Sequence, residues 1–327
     1  MAPSVTRGWI DGAWPVCPRH DDRGGVLPSR EVCVSSGFHL ATVIRREMLS
    51  PGMVRLIFGG EGLRHFRSTG IGDEYLRLFF PDPTTGELAL PIIDERGRWT
   101  YPEGPSKVRC STYTVRRIDH ERGEIAIDFV VHDGGMASDW AVCAKPGDGI
   151  TINNPRALYM PPDDTSWQLM VADAAGLPAL ARILEEMPRS VPTRVFIEVT
   201  EPSHEQALVF GSHVTVTWLH GGNGHAPSKL EEAVRRVPLP DGPGYVWAAA
   251  EQKVVRAIRK YVRQELKMPV LRYELVGYWV DKQNEWTSRW EALDPEVRKR
   301  IEAAWASDRD PEDVRDEVDA TFDKLGL

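Results

Sequence analysis

The hydrophobic rhythm of this chain changes once, near residue 163, and no single sheet accommodates both halves. Before that point the apolar residues come in short runs rich in β-branched and aromatic side chains. The runs are "FHLATVIRREML", "MVRLIFGG", "EYLRLFF", "KVRCSTYTVRRID", "EIAIDFVVHD" and "GDGITIN". Turn formers such as Ser50-Pro51-Gly52, Pro81-Asp82-Pro83 and Pro146-Gly147-Asp148 punctuate them. Six such strands predict a β barrel, since closure removes exposed strand edges. After the change, "WQLMVAD", "TRVFIEVT", "VTVTWLH" and "GYVWAAA" alternate with "LPALARILEEMP", "SKLEEAVRRV" and "EQKVVRAIRKYVRQEL". Strands alternating with helices predict an open, doubly wound parallel sheet. Ligands of such sheets bind beyond the carboxyl ends of the strands, here the loop after "LMVAD".

The chain divides accordingly into an extension (1–37), a β-barrel domain (38–160), an α/β domain (161–282) and a helical tail (283–327). The extension scatters Gly, Pro, Asp and Arg through "GWIDGAWPVCPRHDDRGGVLPSR". It has no apolar stretch of the kind a secretory signal needs, and it is expected to be disordered or ordered on contact. In the tail, "DPEVRKRIEAAWAS" and "DPEDVRDEVDATFDKLG" both open on Asp-Pro-Glu. Aspartate suits the N-cap, proline the first helical position and glutamate the first turn. Val297, Ile301 and Trp305 form one apolar stripe, and Val314, Val318 and Phe322 another. Each stripe needs a partner surface, the chain's own or a second copy's.

A net charge of −8 argues against nucleic acid, whose phosphates demand a basic face. Cys17, Cys33, Cys110 and Cys143 form no C-x-x-C pair, so neither a zinc site nor a disulfide framework is expected. A reducing cytoplasm is the expected compartment. No apolar run approaches the roughly 18 residues of a membrane span.

Two segments carry chemistry. "VRCSTYTVRR" sets Ser111, Thr112, Tyr113 and Thr114 in a row between Arg109 and Arg116, an arrangement suited to a strand that carries a flavin on its surface. "GGMASDWAVCAK" is a glycine-led helix with Ser138 and Asp139 in its first turn. A helix N-terminus suits a pyrophosphate. The same helix also reads as a plug for one end of the barrel.

An all-β barrel with "TYT" on a strand, followed by an α/β domain, resembles the layout of ferredoxin-reductase-like flavoproteins. "STYTVRR", "IAIDFVVHDGGMASDWAVCAKPGDGI", "WQLMVADAAGLPALARILEEMP", "YVWAAAEQKVVRAIRKYVRQEL" and "GYW" resemble, in order, the blocks of the siderophore-interacting protein family. The resemblance spans roughly Phe38 to Trp279 and implies an FAD-containing ferric-siderophore reductase. By that resemblance Tyr113 and Thr114 contact the isoalloxazine. His132 matches a family histidine. Gly135, Ala137 and Ser138 match the turn over the FAD pyrophosphate, and Trp140 packs the same helix. Asp173, Leu177 and Pro178 match the loop beside the nicotinamide, and Glu251 the acid after the last long strand.

Departures from the pattern are specific. The motif arginine falls at Ser111, so Arg109 or Arg116 must restore its cation; Arg116 is counted among the FAD contacts. Asn154 and Ala157 stand where the family has glycines. Ala174 and Ala175 replace a Glu-Thr pair, Ala250 replaces a glycine, and Val280 replaces a basic residue after Tyr278-Trp279. These changes imply weakened use of NAD(P)H.

Three functions follow. The first is an NAD(P)H-dependent flavin reductase acting on a ferric chelate. The second is a redirected enzyme of specialised-metabolite biosynthesis, a cyclase or isomerase using FAD or the cavity without nicotinamide. Its acid/base candidates are His132, Tyr113 and Asp173. The third is a binding protein for a chelate or nucleotide.

Overall fold

A computed structural model describes residues 37–93, 99–100, 108–132, 134–187 and 191–326. The expected extension lies outside them except for Gly37, as do Cys17 and Cys33.

The first half forms one antiparallel sheet. Its strands are β1 (Phe38–Ser50), β2 (Met53–Gly59), β3 (Tyr75–Phe80), β6 (Arg109–Thr114), β7 (Arg117–Asp119), β8 (Glu124–Val130) and β9 (Gly149–Asn153). Two-residue strands β4 (Ile92–Ile93) and β5 (Trp99–Thr100) pair separately. The order is β6-β3-β9-β1-β2-β8-β7, seven strands where the sequence pattern predicts six. The difference lies in "KVRCSTYTVRRID". It reads as one strand but breaks at Val115-Arg116. Its first half pairs with β3 on one edge, and its second half pairs with β8 on the other. Val115 N–H donates to Glu74 O at 2.9 Å, whereas Arg116 N–H donates to Ala126 O at 2.8 Å. One continuous segment therefore supplies both edges, and the sheet curls into a ring around a shared core.

That core holds Val54, Leu56, Phe58, Leu76, Ile127 and Phe129. Helix α1 (Met136–Cys143) inserts Ala137 and Ala141 into it. Trp140 stacks on Phe58 with ring centroids 6.2 Å apart and meets Phe80 edge-on at 5.8 Å. The body of α1 is thus a plug, as one of the two sequence readings has it.

The second half is a parallel sheet of β10 (Trp167–Ala172), β11 (Thr193–Val199), β12 (Val214–His220), β13 (Gly244–Glu251) and β14 (Tyr273–Trp279). Its order is β12-β11-β10-β13-β14. Every residue of β10 and β13 is buried, as expected for strands covered on both faces. Helices α2 (Leu177–Glu186), α3 (Leu230–Arg236) and α4 (Gln252–Lys260) are the crossovers. A π-helical turn, Tyr261–Glu265, extends α4. The sequence pattern misses β14, because Glu274 and Gly277 break its apolar run. Along α4 and its π-helical turn, Val255, Ile258 and Val262 are buried, and Val254 packs against the same core.

The two sheets share an interface. Met53 of β2 belongs to the same core as Met170, Leu180 and Trp247. Gly72 lies so close to α2 that a Cβ there would stand 2.8 Å from Ile183 Cα.

The tail forms α5 (Gln283–Glu291), α6 (Pro295–Trp305) and α7 (Pro311–Leu325). Asp294 and Asp310 cap α6 and α7 as expected. The two sequence stripes meet, but against each other. With Trp286 and Trp290 of α5 they build a small core of their own, joined from outside the tail by Val280 and, over the Phe322 ring, by Arg256 of α4. What fixes this unit to α4 is charge. Arg259, almost fully buried, pairs with Glu312, Asp316 and Asp319, and Arg263 pairs with Asp313 and Asp316.

Candidate functional site

The barrel side of the site is β6. Alternation turns Arg109, Ser111 and Tyr113 to one face and Cys110, Thr112 and Thr114 to the other. Tyr113 packs on Phe129 with ring centroids 4.4 Å apart. Burial pushes its phenol well above the usual tyrosine range, so the hydroxyl stays protonated and cannot serve as a base near neutral pH. Thr114 is buried, and its hydroxyl lies within reach of the Tyr278 hydroxyl of β14. Burial raises that phenol too.

No side chain caps the start of α1, as is also true of α2, α3 and α5. Ser138 is turned inward: its Oγ accepts from His132 N–H at 3.0 Å and donates to His132 O at 2.9 Å. Ser138 thus fixes the loop, and the first N–H groups of α1 are left for a ligand. Gly135 lets the His132 ring lie against the backbone, because a Cβ there would displace it. The His132 side chain is exposed at the rim.

The cation missing at Ser111 is supplied two residues earlier. Arg109 Nη2 lies 3.2 Å from Met136 Sδ in the first turn of α1, and its buried Nε has no hydrogen-bond partner. Arg109 and Ser111 share a face of β6, so the substitution keeps the charge on the same side. Arg116 is not brought there. It donates to both carboxylate oxygens of Glu185 on α2, at 2.5 and 2.9 Å. Arg116 thus ties the barrel to α2.

These residues fit FAD: the start of α1 and an arginine would hold its pyrophosphate, and Tyr113 and Thr114 would meet its ring system.

On the α/β side the carboxyl edge of the sheet is heavily self-bonded. Asp173 follows β10 and is buried. Its Oδ1 accepts from Ala175 N–H at 2.9 Å and Gly176 N–H at 3.1 Å. Its Oδ2 accepts from Glu251 N–H at 2.8 Å and Trp279 Nε1–H at 2.6 Å. Burial outweighs these donors and pushes its carboxyl up to about 6. Asn223, in the left-handed region at φ 53°, accepts from Ala174 N–H at 3.0 Å and donates to Glu198 O at 3.2 Å. Glu251 caps α4 by accepting from Lys253 N–H at 2.6 Å and Val254 N–H at 3.2 Å. The alanines at 174 and 175 thus lose side-chain partners, while their N–H groups are held by Asn223 and Asp173.

Beside this network lies a cavity of about 320 Å³, walled by Asn223, Ser228, Lys253, Trp279, Lys282 and Arg289 among others. Of the residues expected from the sequence, Tyr113, Thr114, His132, Gly135, Ala137 and Ser138 lie in the barrel half, on β6 and at the start of α1, and Asp173 lies at this second edge. Sequence reasoning misses Lys282 and Arg289, since only the docking of the tail brings α5 over the sheet.

Residues 42–159 match the siderophore-interacting FAD-binding domain, and residues 165–282 match the siderophore-interacting protein family. The chain is 34% identical over 245 residues to the NADPH-dependent ferric-chelate reductase of Escherichia coli K12, covering 74% of this chain and 92% of that one. It is 30% identical over 252 residues to the ferric vibriobactin reductase of Vibrio cholerae, covering 75% and 90%. Among solved structures it is similar to a siderophore utilization protein from T. fusca, with a TM-score of 0.66, 33% identity and coverage of 75% and 93%. With the two halves matched in order and the fold shared along them, the chain belongs to the siderophore-interacting protein family.

Proposed function

We propose that this chain is an FAD-dependent oxidoreductase that passes electrons from a nicotinamide nucleotide to the iron of a ferric chelate. The observation that carries the reading is the start of α1, which has no side-chain cap and lies next to Arg109, in the half of the chain that matches the siderophore-interacting FAD-binding domain. FAD, when bound, supplies the exchange between two-electron and one-electron chemistry. The chain's own residues supply position and field. Arg109 and the first turn of α1 hold the pyrophosphate. Thr114 offers a hydroxyl to the ring edge, and Tyr113 keeps its proton and packs beside the ring. Exposed His132 stands at the mouth, where it meets the chelate or moves a proton. Asp173, held by four donors, acts as a positioning group that fixes the nicotinamide loop. The iron is substrate and stays in its chelate.

The names of the E. coli and V. cholerae relatives support this reading over the redirected biosynthetic enzyme. The boundaries 38–160, 161–282 and 283–327 are read as flavin domain, nucleotide domain and tail. No helix among the described residues is long and apolar enough to cross a membrane; we place the chain in the cytoplasm, on its cysteine usage. The test is anaerobic mixing of FAD-loaded protein with NADH or NADPH, followed by a ferric catecholate and a ferrous-iron trap. Flavin bleaching followed by ferrous iron release is expected. Bleaching without iron reduction removes the substrate, and failure to take up FAD removes the whole reading.

A further inference from the structure

The tail is built as a unit of its own. Its three helices close on Trp286, Trp290, Ile301, Val314, Val318 and Phe322. The Trp286 and Trp290 rings stack at 5.8 Å, and the Phe322 ring meets both edge-on at 6.1 Å. Arg289 Nη1–H donates to Gly326 O at 3.2 Å and ties α5 to the residue after α7. The join to the α/β domain has a different chemistry. Arg259 of α4 pairs with Glu312 at 2.9 Å, Asp316 at 2.6 Å and Asp319 at 3.1 Å. Arg263, in the π-helical turn, pairs with Asp313 at 2.7 Å and Asp316 at 2.6 Å. The Tyr273 hydroxyl of β14 donates to Glu312 at 3.0 Å, and Arg256 lies over the Phe322 ring.

The two kinds of contact differ in strength. Apolar burial grows with area, whereas the Coulomb gain of a buried ion pair is largely offset by desolvation. Exposed pairs such as Arg263 with Asp313 add little. Undocking returns both partners of every pair to water and strands no charge. The unit therefore holds itself together more firmly than it holds the α/β domain. The connection is short and bent: β14 ends at Trp279, α5 starts at Gln283, and Lys282 between them stands in the left-handed region at φ 51°. An L-residue relaxes by leaving that region, so the backbone can turn there. Between the unit and the domain lies the cavity at the carboxyl edge, with Asp173, Asn223 and Trp279 on one wall and Glu285, Trp286 and Arg289 on the other. Residues 283–327 lie outside the family match.

We propose that residues 283–327 are a hinged cover over the carboxyl edge of the parallel sheet, which leaves and returns as one folded unit while the clasp at Arg259 and Arg263 opens and closes. The inference does not depend on the reductase reading. Docked, the unit walls off the edge at which open α/β sheets take their ligands; released, it leaves that edge to solvent. The motion breaks the clasp, turns the chain at Lys282 and keeps the aromatic core intact.

The experiment is single-molecule energy transfer on the full chain, with dyes at Arg236→Cys on α3 and Lys299→Cys on α6, both exposed. Cys17→Ser, Cys33→Ser and Cys143→Ser leave buried Cys110 as the one other thiol. Far-UV circular dichroism of the same samples reports helix content. A second population at longer distance, with helix content unchanged, is expected. Raising salt from about 0.1 to about 1 M should enlarge it about two- to fivefold, the worth of exposed ion pairs. Arg263→Ala should act by a similar factor. Arg259→Leu strands Glu312, Asp316 and Asp319 in the docked state, so it should enlarge the population at least about a hundredfold. A single distance in wild type and in every variant, up to global unfolding, overturns the proposal. Helix loss in step with the longer distance also overturns it, since the tail would then melt instead of swinging out. Should Arg259→Leu fail to fold, the salt series and Arg263→Ala decide.

Discussion

Arg182 of α2 donates to the Glu74 carboxylate of the barrel at 2.7 Å, and both side chains are sealed from water. The same Nη1 also donates to Val115 O at 2.7 Å, so one guanidinium holds the loop before β3 and the joint between β6 and β7. Glu74 is further satisfied by Ser68 Oγ and by Thr69 N–H and Oγ1. Removing one partner of a buried pair strands the other charge. Glu74→Ala should therefore destabilise the protein by about 3–5 kcal/mol. Replacing both residues together with apolar ones of similar size should cost much less. Urea unfolding of the two variants checks this. A single-variant loss under about 1 kcal/mol would show that the pair is wet.

Thr114→Val separates cofactor binding from stability. The variant keeps the shape and removes a hydroxyl whose neighbour is the Tyr278 hydroxyl. The apo protein should lose no more than about 1 kcal/mol, the worth of one neutral hydrogen bond. FAD should bind about two- to tenfold more weakly. Thermal melts and flavin fluorescence titration give the two readings. A larger loss of apo stability with unchanged FAD affinity would mean that the hydroxyl serves the fold alone.

Arg109→Met tests the relocated cation. Its methylene stem packs where the arginine's does, but the charge near Met136 is lost. FAD affinity should drop by about one to two decades and become less dependent on salt. Arg116→Met should leave FAD affinity near wild type and lower stability, because its partner is Glu185. Equal effects on FAD affinity would return Arg116 to the flavin site.

Asp319 gives the tail a pH signature. Burial raises its carboxyl from 3.8 to about 6, against the pull of Arg259. A carboxyl raised on folding stabilises the folded state at low pH, and that contribution is lost as pH climbs from about 4 to about 6. Above pH 6 the charged form costs up to about 3 kcal/mol relative to the acid limit. Asp319→Asn should remove this slope, so the variant gains on wild type between pH 4 and 6 and the difference then stays level. Denaturation curves across that range measure it. A constant difference would show that Arg259 keeps Asp319 ionised throughout.

Much of this was readable without coordinates because it is local. The change from strand runs to strand–helix alternation, the Asp-Pro-Glu helix starts and both tail stripes depend on residues close in sequence. What escaped depends on distant pairing. Nothing in "STYTVRR" shows that the chain changes edges at Val115-Arg116, or that Arg116 pairs with Glu185 of α2. The tail stripes signal a missing partner but not which one. Each found the other, and docking fell to Arg259, a charged residue within a helix whose pattern suggests only an apolar core. Val280 reads as a lost function, yet it packs against the core of the tail.

The run from Arg109 to Asp119 also constrains the order of folding. The β7–β8 hairpin brings together near neighbours in the chain and can form early, whereas β6 must wait for β3 and β1 must find β9 across Phe38 to Asn153. Long loops cost more entropy to close and slow the search. Tyr113 and Thr114 belong to the late-pairing half of that run, so they reach their final places only when the ring is complete. During refolding, collapse and secondary structure should appear before any ability to capture flavin, and flavin capture should mark the closing of the ring.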